Sequence, residues 1–313
     1  MGVSRKTALP SKGTLARCIP EQTLWGVRTL KQPGRAADLD KIFVFIVTAI
    51  ATLGLLLGHA AAGPPFVTDD PEPVPYQHFE FYNLSLGTAI RGDAFSEAPA
   101  WEYNYGIVPN GQVHIIAPLA FDTQAGSYGY GDTELGFKYR FIDEDKNGLR
   151  PMVGIYPLLE LPTGDETRAL GAGYVRAYFP IWLQKSFGDW TTYGGGGYWI
   201  NQGADTVNHD YWFFGWLLQK QVTKQLAIGG EIFHQTSTVA FGATDPIYTQ
   251  PTTGFNIGAI YDFDDDHHLL VSVGAGLQNA STTNLFSWYL AYQVTGAGVF
   301  IGGNGPGFLP SQN

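Results

Sequence analysis

The sequence predicts an all-β protein, a transmembrane antiparallel up-and-down β-barrel of about twelve strands. The first observation behind this fold class is an alternation between residues 132 and 141, where apolar side chains alternate with charged ones such as Glu134, Lys138 and Arg140. Successive side chains of a strand point to opposite faces, so this segment has one apolar face and one charged face. A soluble sandwich also alternates, but lipid outside and water inside explain both faces in a chain with an export signal.

The second observation is that turn-bounded segments of about ten residues recur along the chain in an even number, as in single-chain bacterial barrels. The twelve predicted strands are residues 77–88, 97–107, 111–121, 132–142, 150–161, 173–187, 190–200, 210–222, 225–235, 252–263, 267–277 and 284–295. The third observation is that short connections, such as Gly188-Asp189, alternate with long ones, such as 162–172. Because these barrels have short periplasmic turns and longer outer loops, both chain ends are expected to face the periplasm.

The export signal is an apolar run at residues 42–57, which follows the basic Lys41 and precedes an Ala60-x-Ala62 site. A basic flank, an apolar core and small residues at the cleavage site are the parts of a secretory signal peptide. We predict cleavage after Ala62, with Gly63 as the new N-terminus. The alternative is a membrane anchor, but a spanning helix needs about 20 apolar residues.

This signal divides the chain into a basic extension with the signal peptide at 1–62, the barrel at 63–295 and a Gly/Pro-rich tail at 296–313. The first 41 residues are interpreted either as an over-extended start or as an extended targeting signal. Cys18 is the one cysteine and lies before the predicted cut, so disulfides, thiol nucleophiles and thiolate metal sites are excluded from the barrel.

The charge of the chain excludes a nucleic-acid-binding surface. Of 18 Lys and Arg, 8 lie at or before Lys41, whereas only 3 of 28 Asp and Glu do, which leaves 10 basic and 25 acidic residues and a net charge of −15. After the signal, no segment has 18 consecutive apolar residues, so no helical span is expected there.

Five runs of the sequence are distinctive when taken together: Phe66–Pro71, Gly131–Phe141, Pro157–Asp165, Trp190–Asn201 and Tyr211–Thr236. They resemble the family of outer-membrane barrels named after the MetA pathway of phenol degradation and often described as transporters. The resemblance implies a barrel in the bacterial outer membrane, surrounded by lipid, that takes up or exports small solutes, including aromatic ones. It brings no catalytic residues and no cofactor, so an enzyme is not expected. Barrels of this kind usually end on an aromatic residue read by the insertion machinery, whereas this chain continues into its tail.

Two predicted hairpins place candidate residues in the lumen. Pairing across Gly188-Asp189 gives partner numbers that sum to 377, so Trp182 lies opposite Gly195, and glycines there leave room for a bulky neighbour. Pairing across Thr223-Lys224 gives a sum of 447, so Glu231 lies opposite Trp216. A charged side chain on the lipid face of a barrel strand is destabilising, so Glu231 and its neighbours are expected to face water.

We therefore predict a solute path through the lumen, with Glu160 and Arg176 close together near the outer rim. The alternative is that the aromatic residues only fill the lumen as packing. The predicted path is lined by Trp182, Trp212, Phe214, Trp216, Glu231, Phe233, Glu160, Arg176, Glu134, Lys138 and Arg140.

Other residues give only weak indications of a metal site or a catalytic site. His267 and His268 are adjacent and so face opposite sides of a strand, which does not suit a metal site. His234 and Ser237 have no spacing that indicates a hydrolase. Two function classes stay open: a narrow channel or transporter for hydrophobic or aromatic solutes, and a non-transport barrel that is either structural or lipid-acting.

Overall fold

The computed structural model describes residues 64–201, 210–237 and 250–298 of the chain. Within those residues the chain forms fourteen strand segments and one short α-helix. They are β1 (His78–Ile90), β2 (Asp93–Val108), β3 (Gly111–Asp122), β4 (Ser127–Tyr130), β5 (Thr133–Ile142), β6 (Met152–Ile155), β7 (Leu158–Leu161), β8 (Arg176–Phe187), β9 (Trp190–Asn201), β10 (Tyr211–Gln221), β11 (Leu226–Gln235), β12 (Thr252–Asp262), β13 (His267–Gln278), α1 (Ala280–Thr283) and β14 (Phe286–Ala297).

The strands form one closed antiparallel barrel, which confirms the predicted fold class. Each crossing of the wall pairs with the crossings before and after it in the chain, and β1 pairs with β14 from His78 opposite Ala297 to Ala89 opposite Phe286. The segments β4 and β5 together form one crossing beside β3, and β6 and β7 together form one crossing beside β8. The barrel therefore has twelve crossings, and closure leaves no strand edge unpaired in lipid.

Two interruptions were not predicted from the sequence. The strand predicted at 150–161 is broken at Tyr156-Pro157, because proline has no N–H to donate; the Pro157 carbonyl still accepts a hydrogen bond from the Phe137 N–H at 3.1 Å. The predicted outer loop 122–131 contains β4, whose residues pair with β3 from Leu119 to Asp122. Outer loops therefore prolong the sheet at this side of the barrel.

The barrel wall has an apolar outer face and an inner face that carries aromatic and polar groups. On β8, Phe179 and Ile181 point outward and are 56% and 53% exposed, whereas Tyr178 and Trp182 point inward and are 5% and 1% exposed. This alternation is the one expected for a wall between lipid and a lumen. Within the described part of the chain, no helix has the length and apolar character needed to cross a membrane.

The lumen contains a segment of the chain that was not predicted to lie there. Residues 64–75, here called the lumen segment, precede β1 and contact the inner face of strands on several sides of the barrel. The predicted cleavage site at Ala60, Ala62 and Gly63 lies outside the described residues, as does nearly all of the predicted tail.

Candidate functional site in the barrel lumen

The hairpin between β8 and β9 has the predicted register. Trp182 lies opposite Gly195, and Pro180 lies opposite Gly197. Gly195 has a φ of 155°, and a Cβ atom there would lie 2.1 Å from the Ile181 carbonyl oxygen, so no larger residue fits without a shift. The glycine thus allows the buried indole of Trp182 to pack against the wall on the lumen side, as predicted.

The predicted register between β10 and β11 is wrong by one residue. Glu231 lies opposite Leu217 rather than Trp216, and Phe233 lies opposite Gly215 rather than Phe214. The turn holds three residues instead of two, because the Thr223 hydroxyl accepts the N–H groups of Gln225 and Leu226 and extends it. A shift of one residue moves every side chain of a strand to its other face.

As a result, Trp212, Phe214 and Trp216 face lipid, with 49%, 45% and 53% of their surfaces exposed. The Trp216 ring lies over Gly194, and its Nε1 donates a hydrogen bond to the Thr192 hydroxyl at 2.9 Å. Phe214 and Trp216 border an outward groove of about 570 Å³. These three aromatic residues are therefore not part of the lumen wall.

A different set of aromatic residues fills the lumen beside β8 to β11. Tyr178 and Trp199 stack with ring centroids 4.9 Å apart, and Phe213 stacks on Phe233 at 6.2 Å. Within the described residues, Tyr178 Oη, Trp182 Nε1 and Trp199 Nε1 have no hydrogen-bond partner. The lumen aromatic cluster consists of Tyr156, Tyr178, Trp182, Trp199, Tyr211, Phe213 and Phe233.

The predicted proximity of Glu160 and Arg176 is confirmed. Arg176 Nη1 lies 3.2 Å from both carboxylate oxygens of Glu160, and the two residues are 1% and 3% exposed. Arg176 Nε also donates to Asn201 at 2.7 Å, and the guanidinium lies 4.7 Å from the Trp199 ring centroid. Because both charges are buried, the ion pair and these hydrogen bonds offset the cost of desolvation.

The lumen wall next to the aromatic cluster, on β3 and β5, is polar, and Lys138 Nζ lies 4.8 Å from the Tyr156 ring centroid. Glu134, Lys138 and Arg140 all lie on the inner face of β5, as the alternation predicted, while Leu135 and Phe137 lie on the outer face. His114 contacts Glu134 at 3.0 Å through Nε2. Arg140 lies farther toward the turn end of β5, where its Nε is 2.9 Å from an Asp143 carboxylate oxygen.

Glu231 is the acceptor for the backbone of the lumen segment. Its Oε1 accepts the Val67 N–H at 3.0 Å, and its Oε2 accepts the Thr68 N–H at 2.7 Å. Asn256 of β12 donates to the same carboxylate. Glu231 therefore faces the lumen, as predicted, but it binds main-chain N–H groups instead of separating aromatic side chains.

Lys138 is the second anchor for the lumen segment. Its Nζ lies 2.9 Å from Asp69 Oδ1 and 3.7 Å from Asp70 Oδ2. Burial raises the pKa of Asp70 to about 8, although the neighbouring Lys138 charge acts in the opposite direction. Glu72 adds a weaker contact, since its Oε1 is 3.8 Å from Arg140 Nη1.

Glycines on the inner face make space for the side chains of the lumen segment. A Cβ atom at Gly215 would lie 2.1 Å from Thr68 Oγ1, and Cβ atoms at Gly229 and Gly258 would each lie 3.0 Å from the Phe66 ring. Val67 packs against the lumen aromatic cluster. The sequence run Phe66–Pro71, noted only for its family resemblance, thus fits a surface shaped to receive it.

The remaining histidines form separate contacts. His267 Nδ1 lies 2.8 Å from Asp264, and His268 Nδ1 lies 2.7 Å from Asp262. His234 is on the outer face of β11, where Nδ1 lies 2.9 Å from the Thr253 hydroxyl. No group of three His, Cys, Asp or Glu residues suited to a metal ion occurs among the described residues.

Comparisons with known proteins agree with this fold. An outer membrane channel from Pseudomonas putida F1 has a TM-score of 0.58 and 14% identity and covers 72% of this chain and 98% of its own. The NanC porin has a TM-score of 0.47 and 7% identity over 71% of this chain and 99% of its own, too low a score to add to the argument. A search of curated proteins gave no match. The family model described as "MetA-pathway of phenol degradation" matches residues 95–294, and the chain belongs to that family.

Proposed function

We propose that this protein is a narrow outer-membrane channel for small hydrophobic and aromatic solutes, and that the lumen segment closes it at rest. The observation that carries the proposal is the lumen aromatic cluster on one wall of a closed barrel. Aromatic faces bind flat apolar solutes, and fixed polar groups across a narrow lumen keep the path wet. The similar fold from Pseudomonas putida F1, which is described as an outer membrane channel, supports the same function and location.

The lumen segment accounts for closure because it contacts strands that lie far apart around the barrel. The Pro65 carbonyl accepts a hydrogen bond from the Ser272 hydroxyl of β13, while Asp69 binds Lys138 of β5. A barrel of about twelve strands encloses a path only slightly wider than packed side chains, so a segment of chain across it blocks passage. The segment contacts the wall through side chains and single hydrogen bonds and is not paired as a strand, so it can leave without breaking the barrel ladder.

The conduction test uses purified protein in planar bilayers. A Phe66→Gly/Val67→Gly variant removes the apolar anchors of the lumen segment without changing its charge or any strand, and we expect it to conduct for more of the time than the wild type. A variant that folds and inserts but passes no current would exclude a channel and favour the second candidate, a non-transport barrel.

The solute test compares two aromatic truncations on the two faces of the wall. Phe233→Ala removes a lumen stacking surface and is expected to lower uptake of dilute phenol by cells about three- to fivefold, from about 1 kcal/mol of lost stacking. Trp216→Ala is the matched control, since its ring faces lipid, and should leave uptake unchanged. Equal phenol uptake by both variants at equal barrel levels would show that the lumen aromatic cluster only packs the lumen and does not bind solute. No step of this function needs catalysis.

A further inference from the structure

We infer that the lumen selects against anions, so that the channel passes uncharged aromatic solutes and rejects aromatic carboxylates. This inference rests on the proposed function and names its substrate class. Six glutamates face inward from the described strands, against three basic side chains. The glutamates are Glu80, Glu97, Glu102, Glu134, Glu160 and Glu231, and the basic residues are Lys138, Arg140 and Arg176.

The basic side chains are already engaged by carboxylates. Arg176 binds Glu160, Arg140 binds Asp143 at the turn, and Lys138 binds the two aspartates of the lumen segment. Docking of the segment adds the Asp69 and Glu72 carboxylates to the lumen, whereas its departure still leaves six glutamates against three basic side chains on the wall. The excess of negative charge is therefore present in both states.

His114 does not reverse this balance. It lies between two glutamates, with Nδ1 3.5 Å from Glu102 and Nε2 3.0 Å from Glu134. Even a protonated His114 would leave the six inward glutamates in excess over Lys138, Arg140, Arg176 and His114. Fixed carboxylates in a narrow lumen repel anions strongly because little water screens them, which is how rings of acidic residues make pores cation-selective.

The polar groups of the lumen suit a neutral hydroxyl group. The unpartnered donors Trp182 Nε1, Trp199 Nε1 and Tyr178 Oη can donate to a hydroxyl oxygen, and the carboxylates of the polar wall can accept a hydrogen bond from the hydroxyl O–H. A carboxylate solute offers no proton to the glutamates and brings a like charge. An uncharged phenol-like solute therefore finds donors, acceptors and stacking surfaces together.

The test is the ion selectivity of the Phe66→Gly/Val67→Gly variant in planar bilayers. Its open barrel keeps every wall charge. Under a potassium chloride gradient we expect potassium to permeate at least about fivefold better than chloride, and under a potassium benzoate gradient benzoate to permeate no better than chloride. A selectivity ratio near one, or a preference for either anion, overturns the inference while leaving a channel. Absence of any current overturns the proposed function and this inference with it.

Variants of the lumen wall show whether the glutamates cause the preference for potassium over chloride. Glu80→Gln/Glu97→Gln keeps side-chain volume but removes two lumen charges, and the potassium preference should fall about twofold or more. Asp265→Asn is the matched control, because it removes an exposed charge in the turn before β13 and should leave the ratio unchanged. An unchanged ratio in the double variant would refute the assignment to the lumen glutamates.

Discussion

Replacing Glu231 by glutamine tests how tightly the lumen segment is held. The carboxylate accepts two main-chain N–H groups, from Val67 at 3.0 Å and from Thr68 at 2.7 Å. A hydrogen bond to a charged group contributes about 1.5–3 kcal/mol. Glutamine keeps one acceptor oxygen, so Glu231→Gln should lose one such bond, about 2 kcal/mol. Since about 1.4 kcal/mol is a factor of ten, the undocked population should rise about 30-fold.

The assay is the open probability of single channels in planar bilayers, with wild type measured alongside. Glu80→Gln is the matched control, because it makes the same chemical change at a lumen glutamate that accepts the Tyr82 hydroxyl instead of the lumen segment. Glu231→Gln should open far more often than either protein. An open probability equal to that of the control would refute the assignment of Glu231 as an anchor for the segment.

Three further changes should shift the equilibrium between the docked and undocked lumen segment. Gly215→Val places atoms where Thr68 Oγ1 now lies and should raise the open probability, whereas Gly230→Ala should not, because a Cβ atom there, on the outer face of β11, meets nothing nearer than 3.6 Å. Lys138→Met leaves the Asp69 carboxylate without its cation, and loss of a buried partner costs about 3 kcal/mol, so docking should weaken about 100-fold, measured as protease cleavage of the segment. Burial raises the pKa of Asp70 from 3.8 to about 8 beside Lys138, Asp69 and Glu72, so docking is strongest below about pH 4 and weakens as pH rises toward 8. Asp70→Asn should flatten that part of the pH profile of open probability. An unchanged profile would refute the assignment of this pH dependence to Asp70.

The barrel and one of its two critical hairpins could be predicted from sequence. The Gly188-Asp189 turn joins two strands directly, so the sum of partner numbers was correct and Trp182 was placed inside. At Thr223 the same reasoning failed, because a threonine hydroxyl can extend a turn by one residue and nothing in the pattern reveals it. Strands with aromatic residues on both faces, such as β10, give no apolar alternation to correct the error.

The lumen segment could not be predicted because it has no periodicity and binds far from its own place in the sequence. Val67 and Thr68 reach a glutamate 164 and 163 residues away. The sequence held two indirect indications of the lumen segment. One is the glycines at inward positions of β10 to β12, and the other is the acidic pair in the run Phe66–Pro71, which can bind the inward cation Lys138 of β5. Combining these observations requires the barrel geometry that the sequence alone does not supply.

The most direct test of closure by the lumen segment is a reversible disulfide between that segment and the barrel wall. A Cβ atom at Gly215 would lie 3.0 Å from the Thr68 Cβ, and a disulfide joins Cβ atoms about 3.8 Å apart, so a small shift permits the bond. In a Cys18→Ser background, Thr68→Cys/Gly215→Cys should pass no current when oxidised and regain current on reduction in the same bilayer. A fully cross-linked barrel that conducts like its reduced form would contradict closure by the lumen segment.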